Sequence, residues 1–196
     1  MNVRPIVVKC SLVCVGALAL GTLPSSRAFA RTDYEQAGAK HHGQAAGLVN
    51  TVREATERFK DVKVAEAEGY SLMFGCVSGP DYGAMGLHYV NLPLVLDGVI
   101  DPAKPEIIIY EPLPDGRLKI TGADFLVFAE DWHKTTAATP ELQGQLLHLF
   151  ESPNRFGLPN FYTLHVWAWK DNPNGPFANW NPRVSCEGFN DPTFEP

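Results

Sequence analysis

Apolar and polar residues follow a helical spacing from Gln44 onward. The apolar positions recur every three or four residues with charged residues between them, as in a helix that packs one side against a core. These positions are Ala45, Leu48, Val49, Val52, Ala55, Thr56 and Phe59. The spacing predicts an amphipathic helix of about four turns. A short second helix should follow, with Asp61 as its cap and Gly69 at its end.

Beyond Tyr70 the pattern changes to apolar runs separated by glycine and proline, which is typical of strands and turns. The runs predicted as strands are 87–96, 107–111, 117–128, 145–150 and 161–169. Pro114-Asp115-Gly116 predicts a hairpin turn, so the second and third runs should pair antiparallel. Helices followed by strands predict an α+β fold, with N-terminal amphipathic helices packed on a mainly antiparallel β-sheet.

The beginning of the chain has the pattern of a secretory signal peptide over residues 1–30. Arg4 and Lys9 form its positive end, residues 10–20 its apolar run, and residues 28–30 (Ala-Phe-Ala) its cleavage site. The expected location is therefore secreted or periplasmic. No later run reaches the ~18 apolar residues of a membrane helix, so no membrane insertion is expected after cleavage.

The remainder of the chain divides into two parts in this interpretation. Residues 31–43 are polar and lack periodicity, which predicts a loose mature N-terminus. Residues 44–196 are long enough to bury one core and are expected to form a single domain.

Charge narrows the classes of partner. The whole chain has a net charge of −6, and residues 1–30 contain three cations and no acidic residue. The rest of the chain is therefore more acidic still, with 13 basic and 22 acidic residues. Such a balance disfavours nucleic acid and anionic membranes as partners. A small molecule or an envelope protein remains the expected partner.

The cysteines predict one disulfide. Cys10 and Cys14 lie in the predicted signal peptide, which leaves Cys76 and Cys186 for an oxidising compartment. A bridge between them closes a loop of about 110 residues, which the chain-entropy model values at roughly 4–5 kcal/mol. The alternative is a reactive thiol pair, which would lack the usual CxxC spacing.

Asp124 is an acidic residue on an apolar strand face. It alternates with Leu126 and Phe128 in the predicted strand 117–128. An ionised carboxylate there requires a cation, a metal or several hydrogen-bond donors. One reading is that Asp124 pairs with an arginine such as Arg155 or caps a turn, and the other is that it binds a ligand.

Three histidines, His88, His148 and His165, lie in or beside predicted strands. Glu111 shares a strand face with Ile107 and Ile109. Together with Asp124 they would suit zinc, copper, iron or manganese if the sheet brought them together. The alternative is that each imidazole is buried, neutral and satisfied by one carbonyl. No HxH or HExxH spacing supports the metal site.

Aromatic residues near these histidines could form a ligand pocket. Trp167 and Trp169 alternate with His165 in the predicted strand 161–169, and Tyr89 follows His88. Trp167 and Trp169 would provide its floor, and Tyr89 or Trp167 would shape it. The alternative is that these aromatic residues belong to the core.

Three motifs resemble those of a family of exported bacterial proteins of unknown function. They are MGLHYVN at 85–91, LHVWAWKDNPNG at 164–175 and WNPRVSC at 180–186. The resemblance extends roughly over residues 53–186. It implies secretion and a single domain, but it supplies no activity and no site residue.

Two functional hypotheses follow from the sequence. In the first, His88, His165 and Glu111, with His148 or Asp124 contributing, form a metal or small-ligand site inside the sheet of an envelope protein. In the second, the protein is a non-enzymatic envelope interaction module whose aromatic residues form its core and which binds no metal.

Overall fold

The amphipathic segment predicted from Gln44 is the C-terminal part of a longer helix. The computed structural model describes residues 26–79 and 81–190, and its first helix, α1, spans Ser26–Thr56. Residues 31–43, which we expected to be loose, are therefore helical. They contain no proline and several good helix formers, which outweigh the glycines at 38 and 43. Most of the predicted signal peptide lies outside the described residues.

Contacts between backbone atoms divide the chain into two units, Met1–Ala37 and Gly38–Pro196. The second unit begins before the expected domain start at residue 44 and contains the sheet and the core. None of the described helices is long and apolar enough to cross a membrane.

A single turn of 3₁₀ helix, Glu57–Lys60, follows α1 and leads into α2, Val62–Ala67. The Asp61 carboxylate accepts a hydrogen bond from the Lys63 amide at 3.0 Å, so it caps α2 as the sequence predicts. Gly69 then turns the chain with a φ of +95°. This positive φ favours glycine, which explains why the helix ends there.

The described chain contains one antiparallel sheet of six strands and a separate two-stranded ribbon. In chain order the strands are β1 Ser71–Gly79, β2 Gly83–Val90, β3 Ile107–Pro112, β4 Leu118–Phe128, β5 Glu141–Leu142, β6 Gln145–Leu146, β7 His148–Phe150 and β8 Phe161–Val166. The large sheet has the order β1-β2-β3-β4-β8-β7, and β5 pairs with β6. The predicted α+β fold and the β3–β4 hairpin are confirmed.

The predicted strand 87–96 is correct only in its first part. Leu92–Leu96 forms a short helix, α3, with Pro93 in its first turn. The Asn91 side chain accepts a hydrogen bond from the Leu94 amide and caps this helix. Proline lacks an amide hydrogen for a strand ladder but fits a helix start, so the apolar run divides there.

Both faces of the sheet are buried, against different elements. The helix-covered face packs against Leu48 and Val52 of α1 and Phe59 of the 3₁₀ turn. From the sheet it includes Leu87, Tyr89, Ile108, Tyr110, Ala123, Phe125, Val127, Tyr162 and Leu164. The opposite face, here called the pocket face, has a smaller core of Val90, Val95, Ile107, Ile109, Leu126 and Phe161.

The sheet curls around the pocket face. Phe74 on β1 and Phe156, which follows β7, come from opposite ends of the strand order, yet their ring centroids lie 5.5 Å apart. A disulfide joins Cys76 of β1 to Cys186 in the C-terminal segment, as predicted. The bridge fastens the edge strand β1 to the last part of the described chain.

Candidate metal centre

Three neighbouring ladders bring His88, Asp124 and His165 to the pocket face. His88 of β2 lies opposite Ile109 of β3, and Ile107 lies opposite Asp124 of β4. Asp124 in turn lies opposite His165 of β8. Directly paired residues of an antiparallel sheet share a face, and so do residues two apart on one strand. The three side chains therefore meet, with one ligand atom from each lying within 4.8 Å of the others.

A glycine orients the His88 ring. Gly86 has a φ of +105°, and a Cβ at this position would lie 2.6 Å from the Tyr110 carbonyl oxygen. The carbonyl oxygen of Gly86 itself lies 3.0 Å from His88 Nδ1. We assign the proton to Nδ1, which then donates to Gly86 and leaves Nε2 with its lone pair, the form in which histidine binds metals.

Asp124 offers one of its two carboxylate oxygens to the cluster. The Thr163 hydroxyl donates to Oδ1 at 2.6 Å. Oδ2 lies 3.3 Å from His165 Nδ1. Among the described residues no lysine or arginine forms an ion pair with Asp124, and Arg155 donates instead to the Ser78 carbonyl. The charge of this buried carboxylate is therefore not balanced by a basic side chain.

His165 lacks the hydrogen bonds that a buried imidazole requires. Within the described part of the chain it is the residue whose buried side-chain polar atoms have no hydrogen-bond partner, and this holds for both ring nitrogens. Its Nδ1 is within ion-pair distance of Asp124, but the atoms are not aligned for a hydrogen bond. Leaving a buried donor or acceptor unsatisfied costs about 1–3 kcal/mol, so such a group is expected to have a ligand.

Burial sets the protonation of the cluster. It lowers the pKa of His88 to about 4, with a further lowering from His165 beside it. Burial also lowers the pKa of His165 to about 4. It raises the pKa of Asp124 to about 6, against the hydrogen bond from Thr163. At pH 7 two neutral imidazoles therefore surround a carboxylate that is mostly ionised, which is the state that metal binding requires.

The three side chains open into a cavity of about 30 Å³. A volume of this size accommodates one or two water-sized ligands. The walls are mainly apolar and consist of Phe74, Met85, Ile107, Leu126, Phe150, Phe156, Leu158 and Phe161, with Thr163 and Asn179 as polar neighbours. Phe74 has a φ of +63°, a costly conformation for an aromatic residue, and lies in an irregular part of β1.

Glu111 and His148, which we expected to contribute, do not belong to this cluster. Lys170 Nζ donates to both Glu111 oxygens at 2.6–2.7 Å, and the Ser185 amide donates at 3.2 Å. Glu111 is farther along β3 than Ile109, where Lys170 from the segment after β8 supplies this cation. His148 is exposed on the edge strand β7 and does not line the cavity.

The expected aromatic pocket of Tyr89, Trp167 and Trp169 is not formed either. Tyr89 contacts Tyr110 on the helix-covered face, with ring centroids 5.1 Å apart. Trp169 donates to the Thr56 hydroxyl, also on that side. Strand β8 ends at Val166, so the alternation that we extended to Trp169 stops earlier. Trp167 does lie beside His165, with centroids 5.7 Å apart, but outside the cavity lining.

Phenylalanines form the wall that the tryptophans were expected to form. Phe161 and Thr163 alternate with His165 on β8, so this part of the wall was detectable from strand spacing. Phe74 and Phe156 come from irregular segments and give no periodic signal.

Comparison of the chain with protein families, curated proteins and solved structures finds no match.

Proposed function

We propose that the protein binds one divalent transition metal ion through His88, Asp124 and His165. The observation that carries this proposal is His165, whose two buried ring nitrogens have no hydrogen-bond partner among the described residues, beside a carboxylate to which none of those residues supplies a basic counterion. A divalent cation would satisfy the imidazoles and balance the carboxylate at once. Protein cores rarely leave buried imidazole nitrogens without hydrogen bonds and a buried carboxylate without a counterion.

The spacing of the donor atoms supports the same proposal. Ligand atoms around a tetrahedral zinc ion lie about 3.3 Å from one another, given bond lengths of ~2.0 Å. His165 Nδ1 and Asp124 Oδ2 are already 3.3 Å apart. The wider limit of 4.8 Å for the whole set requires side-chain adjustments of about an ångström. Two imidazoles and a carboxylate suit zinc, copper, iron or manganese.

His88, Asp124 and His165 would hold the ion with three protein ligands, the number typical of catalytic rather than structural metal sites. A bound metal would supply a Lewis acid in a pocket that the phenylalanines keep apolar. The surrounding groups then have separate tasks: the Gly86 backbone carbonyl fixes the His88 tautomer, the Thr163 hydroxyl holds one oxygen of Asp124, and the aromatic wall excludes bulk water. The cavity of about 30 Å³ admits only small reactants to this centre.

The protein is further proposed to function outside the cytoplasm, in the periplasm or as a secreted protein. The Cys76–Cys186 disulfide supports this location, because disulfides persist mainly in oxidising compartments.

Metal stoichiometry tests the proposal. The chain is purified without a histidine tag, stripped with a chelator, reconstituted with Zn(II) or Cu(II), desalted and analysed for metal. We expect about one equivalent in the wild type. Asp124→Asn and His165→Ala should each retain less than about a tenth of an equivalent while keeping a native circular dichroism spectrum.

His148→Ala is the matched control, because it removes an exposed histidine outside the cavity and should leave the stoichiometry unchanged. A folded wild type that binds no metal would refute the proposal and favour a metal-free interaction module. Equal metal loss in His148→Ala would show binding at surface histidines instead.

A further inference from the structure

Met85, whose side chain carries a thioether sulfur, lines the same cavity as the two histidines. The chain contains three methionines, and Met85 is 95% buried, being 5% exposed, and lines the cavity together with His88, Asp124 and His165. Thioether sulfur is a soft ligand that selects Cu(I), whereas zinc sites use nitrogen, oxygen and thiolate donors. The presence of this side chain therefore bears on which metal the centre takes.

A backbone irregularity turns Met85 toward the site. Met85 is three residues before His88, so strict strand alternation would direct the two side chains to opposite faces. The β1–β2 register shifts here, since Val77 pairs with Gly86 but Ser78 pairs with Ala84. Met85 is thus the extra residue of a β-bulge, a feature that re-aims a side chain. The positive φ of Gly86 permits this bulge and also orients His88.

We infer that the centre is a copper site in which Met85 is an additional ligand. The inference rests on the proposed metal site and names its metal. His88, His165 and Met85 together offer two neutral imidazoles and a thioether, a donor set suited to Cu(I). His88, His165 and Asp124 offer the nitrogen and oxygen donors that Cu(II) binds more tightly than other divalent metals. The cavity thus provides donors for both oxidation states of copper.

Met85→Leu tests this inference, because leucine conserves the volume and apolar character of the side chain but removes the sulfur. Cu(I) affinity is measured anaerobically by competition with a chromogenic Cu(I) chelator, and Zn(II) affinity is measured in parallel with a zinc indicator. We expect Met85→Leu to weaken Cu(I) binding by about tenfold or more and to change Zn(II) binding by less than about threefold.

Met73→Leu is the matched control. Met73 lies opposite His88 on β1 and packs in the pocket-face core, but it does not line the cavity. The Met73→Leu substitution should leave the affinities for Cu(I) and Zn(II) unchanged. X-ray absorption of the Cu(I)-loaded wild type adds a measurement that needs no variant, and it should detect one sulfur neighbour of the copper.

The outcomes separate this inference from the proposed function. Unchanged Cu(I) affinity in Met85→Leu, or a copper spectrum without sulfur, would overturn the role of Met85 while metal binding by the triad would stand. A wild type that binds neither Cu(I) nor Zn(II) would instead overturn the proposed function itself.

Discussion

The two faces of the sheet treat their buried polar atoms differently. On the helix-covered face, the Tyr110 hydroxyl donates to the Phe59 carbonyl and the Tyr70 hydroxyl to the Pro105 carbonyl, both at 2.7 Å. Trp169 Nε1 donates to the Thr56 hydroxyl at 2.9 Å. On the pocket face, both nitrogens of His165 lack a hydrogen-bond partner among the described residues.

This difference indicates which face stabilises the fold and which face holds the candidate site. The helix-covered face packs most of the large buried side chains and satisfies its hydroxyl groups, so we expect it to supply most of the stability. The pocket face keeps polar groups at an energetic cost, and such local cost is characteristic of binding sites. Removing a buried polar group should therefore lower the free energy of unfolding on the helix-covered face and raise it on the pocket face.

The largest expected effect is on the helix-covered face. Phe125 is fully buried there and is the immediate neighbour of Asp124 on β4. Phe125→Ala should lower the free energy of unfolding by about 3–5 kcal/mol, because it leaves a cavity in the main core. Urea denaturation measures this, and the folded variant should still bind metal. A loss below about 1 kcal/mol would contradict the assignment of stability to this face.

The next largest effect is expected at Glu106, a second buried carboxyl group. It is 1% exposed, accepts a hydrogen bond from the Leu126 amide at 3.0 Å, and burial raises its pKa to about 8. Because the folded state keeps this proton to a higher pH than the unfolded state, the free energy of unfolding of the wild type falls as pH rises from 4.5 through 8. Glu106→Gln cannot ionise, so its free energy of unfolding should rise relative to that of the wild type by on the order of 3 kcal/mol from pH 5 to 8.

The measurement is the free energy of unfolding of both metal-free proteins across that pH range. Parallel pH curves for the wild type and Glu106→Gln would show that Glu106 ionises normally in the folded state.

Metal affinity should depend on pH through Asp124. Its pKa is raised to about 6, so protons compete with the metal below that pH, while both histidines stay neutral down to about 4. We expect Zn(II) affinity to fall by about tenfold per pH unit, roughly a hundredfold between pH 6 and pH 4. Competition titrations at several pH values measure this slope. An affinity that is constant from pH 6.5 to 5 would exclude Asp124 as a ligand.

Asp124→Asn should stabilise the metal-free protein slightly at pH 7. The pKa of Asp124 is higher in the folded state than in the unfolded state, so its ionisation at pH 7 lowers the free energy of unfolding. Asparagine cannot ionise and avoids this loss. We expect a gain of about 1–2 kcal/mol in metal-free urea denaturation. A clear loss of stability would indicate that Asp124 is a structural group of the core.

The smallest expected effect is the matching polar change on the other face. Tyr110→Phe removes the hydroxyl that donates to the Phe59 carbonyl and should cost about 1 kcal/mol. Its effect is opposite in sign to that of Asp124→Asn. If both variants shift the free energy of unfolding in the same direction, the contrast between the faces does not hold.

The sequence predicted the central hairpin and named all three members of the cluster as candidate ligands, because local signals point to each of them. The turn at Pro114-Asp115-Gly116 and the alternation along β4 identified Asp124 as an acid on an apolar face. His165 was expected from its position within the strand that became β8. His88 was expected from its position beside a strand, and the register of β2 and β3 then brought it to the same face.

Other features depend on distant segments and could not be read from local patterns. The Glu111–Lys170 pair joins β3 to the segment after β8, across a sequence separation of 59 residues. Phe74 and Phe156 meet because the sheet curls, and Met85 reaches the cavity through a bulge. These arrangements follow from tertiary packing rather than from the period of a strand or a helix.

Anomalous diffraction from a crystal of the metal-loaded protein would locate the bound ion and its ligands. We expect one strong peak in the pocket-face cavity, about 2.0–2.2 Å from a nitrogen of His88, a nitrogen of His165 and an oxygen of Asp124. A metal-soaked crystal with no peak there, and with a water molecule bridging the unchanged side chains instead, would contradict it and leave a solvated polar cluster in the core.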